Sequence, residues 1–197
     1  FDQCTDTIIR QVGDIGRMVD EFSSFARMPK AAPEPQELAA IVREATVLQR
    51  VSSADIDIEL DVTAGEFVFA FDRRLITQAI TNLVKNARES IETRLQQKPE
   101  PRGHIEVVAG ISDGQPFIRV TDNGIGLPRE NRHRLAEPYM TTREKGTGLG
   151  LAIVKRIMEE HGGRLILEDA PPGEAGIQGA RVTLLFDKLP AQTNAAE

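Results

Sequence analysis

The sequence has little cysteine, no long hydrophobic run and no excess of basic charge, and each of these shortages excludes a class of protein. Cys4 is the only cysteine among 197 residues, which excludes an internal disulfide and a cysteine-rich zinc site and favours a reducing compartment. No stretch approaches the roughly 18 consecutive apolar residues of a membrane span. The net charge of -6 argues against a general binder of nucleic acid or of anionic membranes, because such proteins rely on basic surfaces.

The length and the composition predict one globular domain with an appendage. A chain of 197 residues is too short for two full-sized domains. Hydrophobic residues make up 40% and charged residues 27%, which is typical of a folded protein rather than of a disordered one. No initiator methionine precedes Phe1 and no signal-peptide pattern follows it, so we expect the chain to be a fragment of a longer protein.

Residues 1–28 predict one long coiled-coil-like helix. They contain no proline, and their apolar residues recur at alternating spacings of four and three, which form a heptad seam. The seam consists of Ile8, Val12, Ile15, Val19, Phe22 and Ala26. Such a helix needs a partner helix to cover its seam, although an ordinary helix that packs on a core has the same pattern. Pro29, Pro33 and Pro35 predict a hinge over residues 29–35.

Residues 36–188 predict a domain in which pairs of strands are separated by helices. The predicted helices are 36–50, 72–96 with Asp72 as N-cap, and 148–161. The predicted strands are 56–62 and its neighbour 67–71, the hairpin strands 104–111 and 116–121, and the closing strands 164–169 and 180–186. We therefore expect an α+β fold, in which a mixed sheet has helices on one face. Residues 189–197 are expected to form a disordered tail.

Asn82 and Asn86 are the first candidate site, in the middle of the long predicted helix. Residues four apart share a helix face, and asparagine is a poor helix former, so two stacked asparagines require a reason. A carboxamide oxygen is a neutral, hard ligand suited to Mg2+ that phosphates already hold. The alternative is a pair of solvated surface amides.

Asp122, Gly124 and Gly126 are the second candidate site, at the end of a predicted strand. The two glycines allow the backbone to turn sharply and to approach a flat ligand, while the Asp122 carboxylate is left as a fixed acceptor. The exocyclic amine of adenine would suit such an acceptor. The alternative is an ordinary Asp-Asn-Gly turn.

A glycine-rich segment that leads into a helix is the third candidate site. Gly146, Gly148 and Gly150 alternate in the run from Arg143 to Leu151, which is neither a P-loop nor the dinucleotide-binding Gly-x-Gly-x-x-Gly motif. The N–H groups and the partial positive charge of a helix N terminus favour an anion, which points to phosphate binding. Residues 129–145 carry five basic and three acidic residues, a local excess of +2 in an acidic chain. A flexible linker is the alternative.

Together, these segments resemble the ATP-binding domain of histidine kinases, and the resemblance covers residues 36–188. The matching segments, in the order and spacing of that family, are 82–86 (N box), 122–126 (G1 box), 137–142 (F box), 146–151 (G2 box) and 179–183 (the last glycine box). Residues 1–27 resemble the second helix of the dimerisation hairpin that precedes this domain. The run 137–151 is most similar to nitrogen-regulation sensor kinases of the NtrY type.

The resemblance implies a two-layer sandwich of the Bergerat type that binds ATP with Mg2+ and passes the γ-phosphoryl group to a histidine, and then to an aspartate of a response regulator. Asn86 is the implied metal ligand. The implied ATP-binding residues are Asn82, Lys85, Asn86, Asp122, Gly124, Gly126, Arg143, Lys145, Gly146, Thr147, Gly148, Leu149 and Gly150.

The resemblance also implies partners and a location. The expected partners are the kinase's own hairpin domain and the receiver domain of a response regulator, with neither nucleic acid nor direct membrane contact. The parent kinase is expected to be a homodimer that is anchored in the membrane upstream, with this domain in the cytoplasm.

The sequence departs from the family pattern in three places. The acceptor histidine of the first hairpin helix is absent, and His104, His133 and His161 are interpreted as loop or element-end residues, so no catalytic residue is assigned. Ala136 and Tyr139 occupy F-box positions that are usually phenylalanine, which predicts weaker packing of the lid, residues 123–147. A third departure is Ala180, where relatives often carry a hydroxyl near the adenine.

The residue at position 82 separates a kinase from a hydrolase. Related ATPases of the gyrase and MutL type place a glutamate four residues before the metal-binding asparagine to activate water. Here that position is Asn82, so we expect slow hydrolysis and transfer to a histidine. A kinase module is the main hypothesis, and the alternatives are a non-catalytic ATP-binding interaction domain and, less favoured, an ATP hydrolase of the GHKL type.

Overall fold

A helix followed by an α+β domain makes up the described part of the chain in a computed structural model. The structure describes residues 25–50, 55–62, 67–140, 147–173 and 177–187, and separate positions between 5 and 23. The helices of the domain are α1 (Leu38–Arg50), α2 (Arg73–Gln97) and α3 (Gly150–Glu160), with a 3-10 helix at Arg132–Arg134. The strands are β1 (Glu34–Glu37), β2 (Ile56–Val62), β3 (Val68–Phe71), β4 (Gly103–Ser112), β5 (Gln115–Asp122), β6 (Arg164–Asp169) and β7 (Ala180–Leu185).

The main sheet has five strands in the order β2-β4-β5-β7-β6. Strand β2 is parallel to β4, and the other neighbouring pairs are antiparallel, so the sheet is mixed as predicted. The β4–β5 hairpin is confirmed, and its two turn residues, Asp113 and Gly114, both have a positive φ, of 53° and 77°. Two left-handed residues in succession match the right-handed twist of the flanking strands, which explains the tight connection.

One strand pairing differs from the prediction. Residues 67–71 do not lie beside 56–62, because β3 pairs with β1 in a separate two-stranded sheet, in which Glu34 is opposite Phe71. Strand β1 occupies the end of the predicted hinge, and α1 begins at Leu38 rather than at Gln36. Pro35 is tolerated in a two-stranded sheet, where every strand is an edge strand. The alternation of apolar residues identifies a strand but not its partner, which is why the pairing was wrong.

The helices cover one face of the main sheet, as predicted. On β4, Ile105, Val107 and Ala109 are fully buried, whereas the residues between them are only partly buried. The residues of α2 that point to the sheet include those predicted, namely Leu75, Ile76, Ala79, Ile80, Leu83 and Val84. The remaining face of α2 is therefore available to position polar side chains at the edge of the core.

Asp72 caps the N terminus of α2, as predicted. Its Oδ1 accepts the N–H groups of Arg74 and Leu75, and its Oδ2 accepts the N–H of Ala32. Burial raises the pKa of Asp72, but the hydrogen bonds from Ala32, from the Arg74 side chain and from the two capped N–H groups outweigh it and lower the pKa to about 2. The carboxylate thus links the segment before β1 to the start of α2.

The N-terminal helix has two different ends. Its described positions between 5 and 26 are helical, and the seam residues Val12, Ile15, Val19 and Phe22 are 49–64% exposed. Towards the domain, Phe25 packs against the core and lies under the Arg156 guanidinium, 5.8 Å from it. No helix among the described residues is long and apolar enough to cross a membrane. The division into 1–28, 29–35 and 36–188 stays a prediction, and the predicted tail, 189–197, lies outside the described residues.

Candidate functional site

A row of three polar side chains runs along α2. Asn82, Asn86 and Ser90 are spaced four residues apart and therefore share one face of the helix. Nδ2 of Asn82 is buried and has no hydrogen-bond partner within the part of the chain that the structure describes. A buried donor without a partner costs about 1–3 kcal/mol, so this amide is suited to a bound ligand or water.

Asp122 lies at the end of β5 beside this row and is 7% exposed. Its Oδ1 accepts three hydrogen bonds, from Gly124 N–H at 2.8 Å, from Ala180 N–H at 3.4 Å and from the Ser90 hydroxyl at 3.5 Å. The turn, helix α2 and strand β7 thus converge on one carboxylate oxygen. A carboxylate accepts hydrogen bonds at about four lone-pair sites, and these three bonds all meet at Oδ1.

The glycines of this turn are required by protein contacts. A Cβ atom at position 124 would lie 2.6 Å from the carbonyl carbon of Ser90, so the turn packs directly on α2. Gly126 has a φ of 76°, which favours glycine, and a Cβ there would lie 2.7 Å from the carbonyl oxygen of Gln178. The close approach that the sequence predicted for a flat ligand is, at Gly124, an approach to the helix.

Helix α3 begins beside Asn86. A Cβ on Gly150 would lie 3.5 Å from Nδ2 of Asn86, which is ordinary van der Waals contact. Leu149 is buried in the core, and its N–H donates to Oγ1 of Thr147 at 3.3 Å. The first N–H groups of a helix have no partner within the helix and carry partial positive charge. An anion at this position would therefore meet both the helix end and the Asn86 amide.

Gly148 joins the start of α3 to the predicted F box. It has a φ of 68°, and its carbonyl oxygen accepts the N–H of Tyr139 at 3.1 Å. A Cβ at Gly148 would lie 2.6 Å from the carbonyl carbon of Tyr139, so the two backbones cross closely. Tyr139 itself is 62% exposed, which fits the weaker lid packing expected from its replacement of phenylalanine.

The structure brings part of the predicted site together at the row on α2. Asn82 and Asn86 belong to the row, Asp122 and Gly124 contact Ser90, and Gly150 lies beside Asn86. Gly126 follows in the Asp122 turn, and Thr147, Gly148 and Leu149 lead into α3. Lys85 is exposed on α2 next to Asn86. Arg143, Lys145 and Gly146 lie outside the described residues. Ser90 contacts Asp122 and lies one helical turn after Asn86 on α2. One turn rises about 5.4 Å along the helix axis, so Asp122 and Asn86 lie near each other along α2.

Sequence reasoning missed two residues that hold the site. Ser90 contacts both the Asp122 carboxylate and the turn after it, and its spacing of four residues from Asn86 was the available signal. The side chain of Asn123 fixes the turn to β4, because its Oδ1 accepts the N–H of His104 and its Nδ2 donates to the carbonyl of Arg102. The histidines, which were interpreted as loop or element-end residues, lie near the start of β4 (His104), in the 3-10 helix (His133) and at the C-cap of α3 (His161). Nε2 of His161 accepts the N–H of Asp72 at 2.9 Å.

The donor set fits Mg2+ only if phosphates supply most of the ligands. Among the described residues, no group of three or more His, Cys, Asp or Glu side chains could hold a metal ion. The Asn86 amide offers one neutral oxygen at the position where the start of α3 would attract phosphates. Mg2+ commonly keeps few protein ligands when it is bound with substrate phosphates, so the arrangement is compatible with Mg2+ bound as a complex with a nucleotide.

A cavity of about 630 Å³ borders the other side of the Asp122 turn. Its lining consists of Ile125, Gly126, Leu127, Arg129, Arg132, Asp169 and Gln178, which includes neither Asp122 nor Asn86. Arg132 donates to both carboxylate oxygens of Asp169, at 2.6 and 3.1 Å, and so ties the 3-10 helix to the end of β6. This ion pair anchors the base of the segment between the turn and α3.

Comparison with known families identifies a match for most of the domain. Residues 71–190 match the family described as histidine kinase-, DNA gyrase B-, and HSP90-like ATPase. The chain is 56% identical over 173 residues to the nitrogen regulation protein NtrY of Azorhizobium caulinodans, and 38% identical over 187 residues to a putative sensor histidine kinase, NtrY-like, of Rickettsia conorii. These matches cover 88% and 95% of this chain but only 22% and 29% of the relatives, so the chain spans less than a third of their length.

Solved structures share the fold. The mycobacterial sensor histidine kinase MprB matches 81% of this chain and 99% of its own, with a TM-score of 0.66 and 26% identity. Full-length ShkA, which was solved in complex with AMPPNP, matches 96% of this chain and 40% of its own, with a TM-score of 0.73 and 25% identity. The predicted α+β architecture is therefore confirmed both by the strands themselves and by these neighbours.

Proposed function

This chain belongs to the family of histidine kinase-, DNA gyrase B-, and HSP90-like ATPases, and we propose that it is the ATP-binding kinase module of an NtrY-type sensor histidine kinase. The module binds ATP with Mg2+ along α2 and places the γ-phosphoryl group for transfer to a histidine of the hairpin domain. A receiver domain of a response regulator then takes the phosphoryl group. The observation that carries the proposal is the position of Asp122 and the start of α3 on one polar row of α2.

Each part of this groove is chemically suited to one part of ATP. Asp122 accepts a hydrogen bond from the exocyclic amine of adenine, because its carboxylate is held in a fixed orientation by the turn and by Ser90. The first N–H groups of α3 bind phosphate oxygens, and Lys85, Arg143, Lys145 and the residues 146–150 are the further phosphate-binding residues of this proposal. The unpartnered amide donor of Asn82 is suited to the phosphate side as well.

Mg2+ supplies charge neutralisation on the phosphates, and Asn86 is its protein ligand in this proposal. The carboxamide oxygen of Asn86 lies beside Gly150, where the helix end concentrates the phosphates. Asn82 stands where a general base for water would be placed in a hydrolase, and an amide cannot take a proton from water at neutral pH. The site therefore favours transfer to a positioned imidazole over hydrolysis.

The exposed seam of the N-terminal helix supports the proposed assembly. Val12, Ile15, Val19 and Phe22 present an apolar stripe that the described part of the domain leaves open. In a parent kinase this stripe packs against the first helix of the hairpin and its dimer mate, which makes the parent a homodimer. The domain works in the cytoplasm of a kinase that is anchored in the membrane upstream, and it binds neither nucleic acid nor the membrane directly.

The test is phosphoryl transfer from radiolabelled ATP. The chain is incubated with ATP and Mg2+, alone and with a hairpin domain that carries an acceptor histidine and is supplied as a separate chain. We expect acid-labile label on the hairpin and none on this chain, and slow transfer because the tether that raises the effective concentration is absent. The variant Asp122→Asn should abolish the label, and Asp113→Asn, which makes the same change at the tip of the β4–β5 hairpin, should not.

The other outcomes separate the alternative functions. ATP binding without label on the hairpin would favour a non-catalytic interaction domain. Rapid release of inorganic phosphate would favour a hydrolase. Acid-labile label on the chain alone would contradict the interpretation of His104, His133 and His161 as structural residues.

A further inference from the structure

Ser90 connects helix α2 to the Asp122 turn at two points. Ser90 is buried, with 4% of its surface exposed, and is the third residue of the polar row on α2. Oγ accepts the N–H of Ile125 at 3.1 Å and approaches Oδ1 of Asp122 at 3.5 Å, to which its hydroxyl hydrogen can be donated. One hydroxyl therefore contacts both the first residue of the turn and the residue that closes it.

The turn that follows Asp122 packs tightly against Ser90. A Cβ at Gly124 would lie 2.6 and 2.7 Å from the carbonyl carbon and the Cβ of Ser90, so the backbone at Gly124 rests on the helix. Ala180 approaches the same Oδ1 of Asp122 through its backbone N–H, at 3.4 Å, and has no side-chain donor. The Ser90 hydroxyl and two backbone N–H groups are therefore among the contacts that orient the carboxylate.

A carboxylate distinguishes adenine from guanine only if its orientation is fixed. Adenine presents an exocyclic amine that donates to one acceptor. Guanine presents a carbonyl at that position, which a fixed carboxylate repels, but it also has adjacent N–H groups that a carboxylate free to rotate can accept in a bidentate manner. A carboxylate that is free to rotate therefore binds adenine more weakly and permits the binding of guanine.

We propose that Ser90 is a positioning residue that sets the preference of this site for adenine over guanine. It does so by fixing the carboxylate of Asp122 and the turn 122–125 against α2, and it does not itself need to contact the nucleotide. The inference rests on the proposed function, because it assumes that Asp122 binds the base of ATP.

The experiment measures the affinities for Mg-ATP and Mg-GTP by calorimetry in the full chain and in Ser90→Ala. We expect the variant to bind ATP roughly five- to tenfold more weakly, since one side-chain hydrogen bond is lost, and to lose a similar factor in the ratio of ATP to GTP affinity. Thr93→Ala is the matched control, because Thr93 is on the same helix and its hydroxyl bonds back to the carbonyl of Glu89. It should leave both affinities unchanged.

Ser90→Cys keeps the size of the side chain and a weak donor, so it should give an intermediate ratio, and it serves if the alanine variant does not fold. An unchanged ratio of ATP to GTP affinity in the folded Ser90 variant would overturn the proposal, whether both affinities stay constant or fall together. Failure of the wild-type chain to bind ATP would instead refute the proposed function. The two failures are therefore distinguishable.

Discussion

Asp72 at the start of α2 and Asp122 at the end of β5 are 3% and 7% exposed, and both accept hydrogen bonds from backbone N–H groups. The partners of Asp72 are Ala32, on the segment before β1, and the first turn of α2. The partners of Asp122 are the turn that follows it, Ser90 and the start of β7. Both aspartates join elements of the fold, but Asp72 does so at the start of α2, whereas Asp122 does so beside the polar row of α2.

The same contrast divides α2 itself. Its N terminus is capped by a carboxylate whose two oxygens both accept hydrogen bonds from the protein. Its middle carries a buried amide donor, on Asn82, that has no partner in the described chain. The fold satisfies the Asp72 carboxylate and leaves the Asn82 amide donor without a described partner, which is the difference expected between a structural polar group and one that meets a ligand.

Replacing Asp72 by asparagine should have the largest effect on stability. Asparagine can still cap α2 through its side-chain oxygen, but it loses the ion pair with Arg74 and presents an amide donor to the N–H of Ala32. We expect the free energy of unfolding in urea to fall by about 1–3 kcal/mol. Asp113→Asn should leave the free energy of unfolding unchanged. Folded Asp72→Asn should bind ATP with the same affinity as wild type. If Asp72→Asn and wild type had equal free energies of unfolding, Asp72 would lack the structural role that distinguishes it from Asp122.

Acidification should erase the stabilising effect of Asp72. Its pKa is about 2 in the folded chain, below the ordinary value of 3.8, so the carboxylate stabilises the fold above about pH 4. The shift is equivalent to roughly 2 kcal/mol, which is lost as the pH falls from about 4 to 2. Unfolding curves of wild type and Asp72→Asn should therefore converge at low pH. A gap that stays constant over this range would show that the charge of Asp72 does not stabilise the fold.

Replacing Asn86 by alanine should show whether the polar row in the middle of α2 binds a ligand, in contrast to the structural cap at Asp72. If Asn86 ligates Mg2+, the variant should bind ATP about tenfold more weakly in Mg2+ and nearly as well as wild type in EDTA. Calorimetry in the two buffers measures this difference. Gln78→Ala, on the same helix two turns earlier, is a control for general effects on α2. An equal loss in Mg2+ and in EDTA would make Asn86 a structural residue like Asp72.

The smallest expected effect is on the segment between the Asp122 turn and α3. Its described part, up to Met140, is mostly irregular, and Leu135 is its buried apolar residue. We expect ATP to slow hydrogen exchange in this lid severalfold, because phosphate contacts at the start of α3 order it. The Arg132–Asp169 ion pair should keep exchange at the 3-10 helix slower than in the rest of the lid. Identical exchange with and without ATP would argue against a lid.

Local patterns predicted most of the fold. The apolar spacing of α2 and the turn residues Asp113 and Gly114 depend on contacts close in sequence, and both elements are confirmed. The partner of β3 was predicted wrongly because the pairing of Phe71 with Glu34 joins segments far apart in the chain, and apolar alternation carries no information about it. The resemblance to NtrY-type kinases, which followed from the boxes, is confirmed by the 56% identity.

The candidate site could be predicted only where its residues form short motifs. Asp122, Gly124 and Gly126 lie within five consecutive residues, and the structure packs the turn they form on α2, where Gly150 lies beside Asn86. A single serine on a helix belongs to no such motif. Ser90 acts through its contact with a turn more than thirty residues away in the chain. The spacing of four residues from Asn86 places Ser90 on the same helix face, but its role depends on tertiary packing, which that spacing does not encode.

The most direct test of a nucleotide site at Asp122 is calorimetry of Mg-ATP and Mg-GTP binding to wild type, Asp122→Asn and Asp113→Asn. The account predicts that wild type and Asp113→Asn bind ATP equally and prefer it to GTP. It predicts that Asp122→Asn binds ATP weaker by about 1–3 kcal/mol, because the adenine amine would face an amide donor or an unpaired site. Undiminished ATP affinity in Asp122→Asn, or equal affinity of wild type for ATP and GTP, would contradict it.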